Sequence, residues 1–477
     1  MTHLLFVRAA VGPDEGGFSV VARYWNEPGR YLYGPLWVDR PPGLIWLFSL
    51  ANHLGPMGVR WMLLILAVVL VALAGAAAAA AGGPRAAPWA AWAAYALGSS
   101  VLLQGQQLNG EYAAAVCVAA SMLLTLLSAK SVGARAALLG FAAGAAATGA
   151  VTMKQNFLDA FVFAFVLLVA MAATGRIPWR RMAAALGGGI AGTAAVVALV
   201  LAWSRDRGGP SALMFALYGF RVRADSVMDH HSFEAPGERM FALIALCLGS
   251  GLLVLALQLA WQGRRALRAR QPLAWALLAT AVFEFISLMA GANFWPHYAL
   301  AFIPVIAVGT GLASRPGKTG WRATRYIVGL AAVTTAVISP IAAVAKGPGD
   351  AWMTGHWVSR SAQPGDTIAV TYSHPNIIDA SGLRPAYPYL WSLPIRTLDP
   401  HLALLDHTLT HEHRPTWVVV FNASHSWDLN KSDELQRALH PHYRLVEWVC
   451  GHPVWLAKGE ARKLVPVPPG ECGAGAL

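Results

Sequence analysis

Apolar runs near twenty residues long recur between residues 58 and 346, separated by short polar loops. Runs of that length match the ~30 Å hydrocarbon core of a bilayer. They predict ten membrane-spanning helices, over roughly 58–82, 86–103, 111–128, 135–150, 157–174, 183–203, 240–261, 272–290, 298–313 and 326–346. Ahead of this block, residues 16–55 are rich in aromatic and apolar residues but hold no run long enough to span. Phe18, Val21, Ala22 and Trp25 recur at helical spacing. Pro41-Pro42, ahead of Leu44, Ile45, Leu47 and Phe48, starts a second helix at a proline. Two short amphipathic helices lying in the membrane interface are expected there. Beyond residue 346 charges and prolines return. Strand-like runs at 367–372, 417–421, 443–449 and 453–457 alternate with helix-like stretches near 400–411 and 431–439. That alternation predicts a small α/β domain over 347–460, with a disordered tail over 461–477.

Composition fits the pattern. The chain is 56% hydrophobic and 13% charged, against about a quarter charged in soluble domains. It reads as a polytopic α-helical membrane protein of ten or eleven spans. The net charge of +12 does not point to a nucleic acid, because the excess sits in short loops between spans. Alternate loops carry Arg85; Lys130 and Arg135; Arg176, Arg180 and Arg181; Arg264, Arg265, Arg268 and Arg270; and Arg315, Lys318, Arg322 and Arg325, with no acid among them. The positive-inside rule makes these loops cytoplasmic. Residues 1–57, 104–110, 151–156, 204–239, 291–297 and 347–477 are then outside. Residues 1–12 are too short for a span and lack the parts of a signal peptide. They read as the stub of a first helix, and a start further upstream would add an eleventh span.

The residues that could carry chemistry map to this outer face: Asp14, Glu15, Asp39, Arg40, Glu111, Lys154, Gln155, Asn156, His230, His231, Glu234, Glu238, His297 and Tyr298. Ionisable groups at membrane level are costly and are functional candidates by default. Wet loops also carry polar residues, and that reading suits Glu234 and Glu238. Asp14-Glu15 and His297-Tyr298 instead sit against apolar runs. Lys154 ends a Gly/Ala-rich helix. It either snorkels to the interface or meets a phosphate as a compact point charge. Arg40 poses the same choice, and Arg221 and Arg223 are weaker cases. The adjacent pair His230-His231 is a weak metal signal. Cys117 and Cys247 lie within spans, whereas Cys450 and Cys472 could pair in an oxidising compartment. No Walker-type Gly-Lys-Ser/Thr, Cys-x-x-Cys, His-Glu-x-x-His or Gly-x-Ser-x-Gly occurs.

Several of these motifs, in this order, resemble the C-type (GT-C) membrane glycosyltransferases, and within them the bacterial protein mannosyltransferase and aminoarabinose transferase group. Asp14-Glu15-Gly-Gly and then Trp37-Val-Asp39-Arg40-Pro41-Pro42-Gly43 look like that group's first outer loop. Glu111 follows a Gln-rich turn, like its second acidic position. Met153-Lys154-Gln155 looks like its lysine-bearing helix end. Asn293-Phe294-Trp295-Pro296-His297-Tyr298, preceded by Glu284, looks like its late His-Tyr motif. Pro364-Gly365-Asp366 and Ser381-Gly382 resemble the outer domain of actinobacterial members. The expected first transmembrane helix is absent or cut short.

The resemblance implies sugar transfer from a polyprenyl-phosphate monosaccharide to a hydroxyl of a glycan, lipid or protein acceptor, with inversion. It gives Asp14 the role of general base, Glu15 that of an auxiliary orienting group, and Glu111 that of a second acceptor-side acid. Lys154 and Arg40 would meet the donor phosphate, with His297 and Tyr298 as donors nearby. No cofactor is required, although a divalent ion is compatible with the carboxylates. Two other readings stand: a transporter or flippase of lipid-linked saccharides, and a non-catalytic assembly protein with a binding module outside.

Overall fold

The structure is a computed structural model that describes residues 2–228, 234–345, 347–422, 426, 429–430, 433–467 and 472. Thr2–Phe6 forms a short 3₁₀ turn, followed by α1 (Pro13–Tyr24), α2 (Pro42–His53), α3 (Gly58–Gly82), α4 (Ala87–Gly98), α5 (Gly110–Lys130), α6 (Gly133–Met153), α7 (Asp159–Ala173) and α8 (Trp179–Ser204). The helices α9 (Gly209–Met214), α10 (Phe220–Met228), α11 (Glu234–Gly249), α12 (Leu252–Arg268), α13 (Pro272–Gly291), α14 (Ile303–Ala313) and α15 (Trp321–Ala345) complete the helical part. Beyond them lie α16 (Gly349–Ser361), β1 (Thr367–Thr371), α17 (Asn376–Ser381), β2 (Arg384–Pro385), α18 (Ser392–Leu398), α19 (Ala403–Thr410), β3 (Trp417–Val420), α20 (Glu434–His442), β4 (Tyr443–Val449) and β5 (His452–Ala457).

This is a multi-pass membrane protein with a small α/β domain at its C-terminal end. Among the described residues, seven helices are long and apolar enough to cross a bilayer: Gly58–Gly82, Gly110–Lys130, Gly133–Met153, Trp179–Ser204, Pro272–Gly291, Pro296–Ala313 and Trp321–Ala345. Each coincides with an expected span, and the other three expected spans are shorter or broken helices. The span expected over 240–261 is a pair of helices that meet at 71°. The break falls at Gly251, whose φ of 82° places it in the left-handed region open to glycine. The segment 86–103 gives only the 12-residue α4, and 157–174 gives the 15-residue α7. At 1.5 Å per residue these helices are about 18 and 22 Å long, and the flanking segments, such as the 3₁₀ turn Val101–Leu103, complete the passage between the two ends of the bundle.

Small residues set how closely the helices approach. A Cβ on Gly144 would lie 2.0 Å from the Gly189 carbonyl oxygen, and one on Gly192 2.0 Å from that of Phe141. Helices α6 and α8 therefore touch backbone to backbone. The basic loops gather at one end of the bundle. Lys130 Nζ donates to the Ala80 carbonyl, Arg265 Nη1 to Thr319 Oγ1 at 2.9 Å, and the Arg325 guanidinium lies over the Trp89 ring. At the other end α1 and α2 pack on the bundle, and the α/β domain packs on α1.

The α/β domain holds a five-stranded sheet in the order β2-β1-β3-β5-β4. The β1 strand runs parallel to β2 and β3, and β5 runs antiparallel to β3 and β4. Its chain continues past the expected boundary at residue 460. Arg462 Nη2 pairs with Asp366 Oδ1 at 2.5 Å, and Trp357 Nε1 donates to the Val465 carbonyl at 2.8 Å. Residues 461–467 thus lie along the domain rather than in a free tail. Cys450 and Cys472 form a disulfide, and Cys117 and Cys247 are free.

Candidate active site

The site lies at the end of the bundle away from the basic loops, where α1, the Asp39-Arg40 turn, the start of α5, the end of α6 and the start of the Pro296–Ala313 span converge. Its shape follows from where glycine stands. A Cβ on Gly110 would lie 3.1 Å from the Met153 carbonyl oxygen, and one on Gly43 would lie 2.4 Å from Thr152 Oγ1. The starts of α5 and α2 therefore press directly on the end of α6. That close approach delivers Glu111 to Lys154.

Glu111, in the first turn of α5, is buried and meets Lys154 Nζ through Oε1; the same oxygen lies 3.6 Å from His297 Nε2. Asn109 caps that helix start, its Oδ1 accepting from the Tyr112 N–H at 2.8 Å. His297 Nδ1 meets Gln104 Oε1 at 2.7 Å. The Lys154 ammonium also stands 4.0 Å above the centroid of the Tyr298 ring, a cation–π contact. Four of the expected residues, Glu111, Lys154, His297 and Tyr298, thus form one contiguous group.

Arg40 joins this group from the Asp39-Arg40 turn. It pairs with Asp39 at 2.8 Å, and Asp39 also pairs with Arg221. Burial alone would raise the Asp39 carboxyl, but Arg221 and Arg40 outweigh it and hold its pKa below the usual carboxylate range. Burial likewise works against the Arg40 charge. Asp39 overcomes it, with Asp14, Tyr298 and Glu111 adding smaller contributions, so the guanidinium stays charged. Asp14 sits on the near face of α1 and accepts from Trp391 Nε1 at 3.0 Å through Oδ1. It lies within electrostatic reach of both Arg40 and His297.

Glu15 departs from its expected place. It points away from Asp14 into the interior, at 1% exposure. Its Oε1 accepts from Arg60 Nη1 at 2.5 Å and from the Leu108 N–H at 2.7 Å, and its Oε2 from the Gly12 N–H at 2.9 Å. Arg60 donates further to the carbonyls of Gln106 and Ala10. Glu15 is therefore a brace between α1, α3 and the 104–108 turn, which leaves it no lone pair facing the group around Lys154. Adjacent residues on a helix point about 100° apart, and here Glu15 turns to Arg60 while Asp14 turns to Trp391.

Two residues, Arg60 and Trp391, came from the fold rather than from any pattern, and a third, Arg221, gained a role there. Arg60 opens a long apolar run and is hidden by it. Trp391 reaches Asp14 from the α/β domain, 377 residues away. Arg221 was the weaker of the basic candidates and proves to be the second partner of Asp39. His230 and His231 lie outside the described residues. Among those described, three carboxylates of the region (Glu15, Asp39 and Glu111) each meet a cation of the protein.

No family model and no curated protein matches the chain. Solved structures do. ArnT from Cupriavidus metallidurans in the apo state is similar over 94% of both chains, with a TM-score of 0.64 and 15% identity. The same enzyme bound to undecaprenyl phosphate gives 0.60, again over 94% of both chains. The Archaeoglobus fulgidus oligosaccharyltransferase, tethered to an acceptor peptide, gives 0.57 at 15% identity, over 91% of this chain and 68% of that one. From its first helices to its C-terminal sheet, the chain shares the fold of these solved membrane enzymes.

Proposed function

We propose that this protein is a membrane glycosyltransferase that moves a sugar from a polyprenyl-phosphate monosaccharide to an acceptor hydroxyl. One observation carries the reading: an acid, Asp14, and two cations, Arg40 and Lys154, share one electrostatic site at a single end of the bundle. A transfer of this kind needs that combination. The acceptor oxygen attacks the anomeric carbon and its proton passes to the Asp14 carboxylate. The bond from the anomeric carbon to the phosphate oxygen breaks, and its electron pair stays on the phosphate. Negative charge grows there, and Arg40 and Lys154 lie ready to stabilise it. The Tyr298 hydroxyl supplies a hydrogen-bond donor beside Lys154, as does His297 Nε2 in the protonated ring, since Nδ1 is taken by Gln104 Oε1, and Glu111 fixes the ammonium when the phosphate is elsewhere. Attack from the face opposite the phosphate inverts the anomeric centre.

The fold shared with an ArnT that binds undecaprenyl phosphate supports a lipid-linked donor. The basic loops at the far end support an extracytoplasmic site under the positive-inside rule. The Cys450–Cys472 disulfide suits an α/β domain in an oxidising compartment. The reaction is tested by incubating the purified protein in lipid with radiolabelled polyprenyl-phosphate mannose or arabinose and an envelope glycan extract. Release of polyprenyl phosphate together with labelled acceptor is expected. Intact donor with every sugar and extract, or donor that only changes leaflet, would overturn it.

A further inference from the structure

A second pair of acids lies behind Lys154 and has no part in the transfer just described. Asp159, the first residue of α7, is 0% exposed, and Glu284, in α13, is 4% exposed. Helices α7 and α13 pack against each other, and Asp159 Oδ1 and Oδ2 and Glu284 Oε1 are buried with no hydrogen-bond partner among the described residues, while the two groups interact electrostatically. Two carboxylates buried side by side would repel each other, and a proton held between them would relieve that and satisfy the orphaned oxygens. A buried polar group in lipid surroundings costs free energy unless it is matched. An apolar pair would fill this position more cheaply, so the acids call for an explanation.

The chain between the two sites supplies it. Only four residues separate Lys154 from Asp159, and this short arm is tied down along its length. Gln155 Nε2 donates to the carbonyls of Asp39 and Leu217, both at 3.3 Å. Asn156 Nδ2 donates to Ser287 Oγ at 2.9 Å, one helical turn from Glu284. Phe157 is buried in the core. The carboxyl pair is the last tie, joining the arm's end to α13. Lys154 lies within electrostatic reach of Glu284 while its ammonium meets Glu111 on the other side. Lys154 thus stands between one paired carboxylate and this buried acid couple.

We propose that Asp159 and Glu284 are positioning residues for the phosphate-binding lysine: their contact clamps the 154–159 arm to α13 and fixes where the Lys154 ammonium stands. The inference rests on the reading of Lys154 as a phosphate ligand. Mutation separates the two. Undecaprenyl phosphate is titrated onto the full-length protein in nanodiscs, for wild type, Lys154→Ala, Glu284→Ala, Glu284→Gln and the Lys154→Ala/Glu284→Ala double variant. Thermal stability is recorded alongside. Glu284→Ala should weaken binding roughly tenfold. Glu284→Gln should restore it, because a neutral amide can still donate to the Asp159 carboxylate. In the Lys154→Ala background, Glu284→Ala should have no further effect, since coupled residues are not additive. In turnover assays Glu284→Ala should raise the donor KM more than it lowers kcat. Additive losses, or Gln behaving like Ala, would reduce the pair to a packing role and overturn the proposal. Lys154→Ala with unaltered affinity would instead overturn the reading of the lysine itself. Should Glu284→Ala fail to fold, the comparison of Glu284→Gln with Glu284→Leu decides: equal affinities contradict the clamp.

Discussion

At the scale of the residue, two adjacent acids with opposite fates are the clearest lesson. Asp14 lies within electrostatic reach of Arg40 and His297 and accepts from the Trp391 indole. Glu15 is saturated by Arg60 and two backbone amides. Replacing them should therefore fail in different ways. Asp14→Asn should cut turnover by at least ~100-fold, the usual scale of a lost general base, with thermal stability and undecaprenyl phosphate affinity close to wild type. Glu15→Gln should instead lower stability, because it leaves the buried Arg60 charge poorly matched, a loss of about 3–5 kcal/mol when one partner of a buried pair is removed. Differential scanning fluorimetry beside an initial-rate assay distinguishes the two. The acid pair was legible in the sequence as a motif; its division of labour was not. That division depends on Arg60, which sits at the head of an apolar helix and meets Glu15 only after α1 folds back over α3.

Among the elements, contact between the α/β domain and α1 matters most. A Cβ on Gly16 would lie 2.5 Å from Asn376 Cα, and one on Gly17 2.2 Å from Trp391 Cζ2. The two glycines after the acids are thus where the domain presses on α1, and Trp391 reaches Asp14 through that contact. Gly17→Ala should push the indole aside. A loss of about 1–3 kcal/mol is expected for such overpacking, with faster amide exchange in α17 and α18 and reduced turnover. Exchange unchanged in both helices would show that the domain contact has no hold on the site. The helices themselves were readable from the apolar runs, because a bilayer imposes length. The break at Gly251, the shortness of α4 and the interface between α1 and the domain were not. They depend on tertiary neighbours that no local pattern encodes.

For the whole molecule, the domain's own anchor is Asp366. Its carboxylate, 3% exposed in its side chain, accepts from Arg462, the Gln363 N–H and Trp417 Nε1. Burial alone would raise its pKa, but these donors outweigh it and hold it below the ordinary value. A depressed folded pKa stabilises the domain above the unfolded value of about 3.9 and loses that contribution as pH falls through the folded value. Asp366→Asn should therefore be less stable than wild type at pH 7, and the gap should close as the pH drops below ~4. Limited proteolysis of the domain across that range reads it. Sidedness is a second whole-molecule expectation. Glu412→Cys should react with a membrane-impermeant maleimide on intact cells, and Arg268→Cys only after permeabilisation; the reverse would invert the topology. Both the membrane class and the two-part layout could be read in advance from hydropathy and loop charge. The strand order β2-β1-β3-β5-β4 could not, since strand pairing is set by the packed sheet.

A structure with undecaprenyl phosphate bound would probe the assembled site directly, because that lipid is what the proposed reaction leaves behind. Its phosphate should rest against the Lys154 ammonium and the Arg40 guanidinium, with the Asp14 carboxylate on the side from which an acceptor would attack. A head group lodged at the end carrying Arg85 and Arg315, or far from both cations, would contradict sugar transfer at this place.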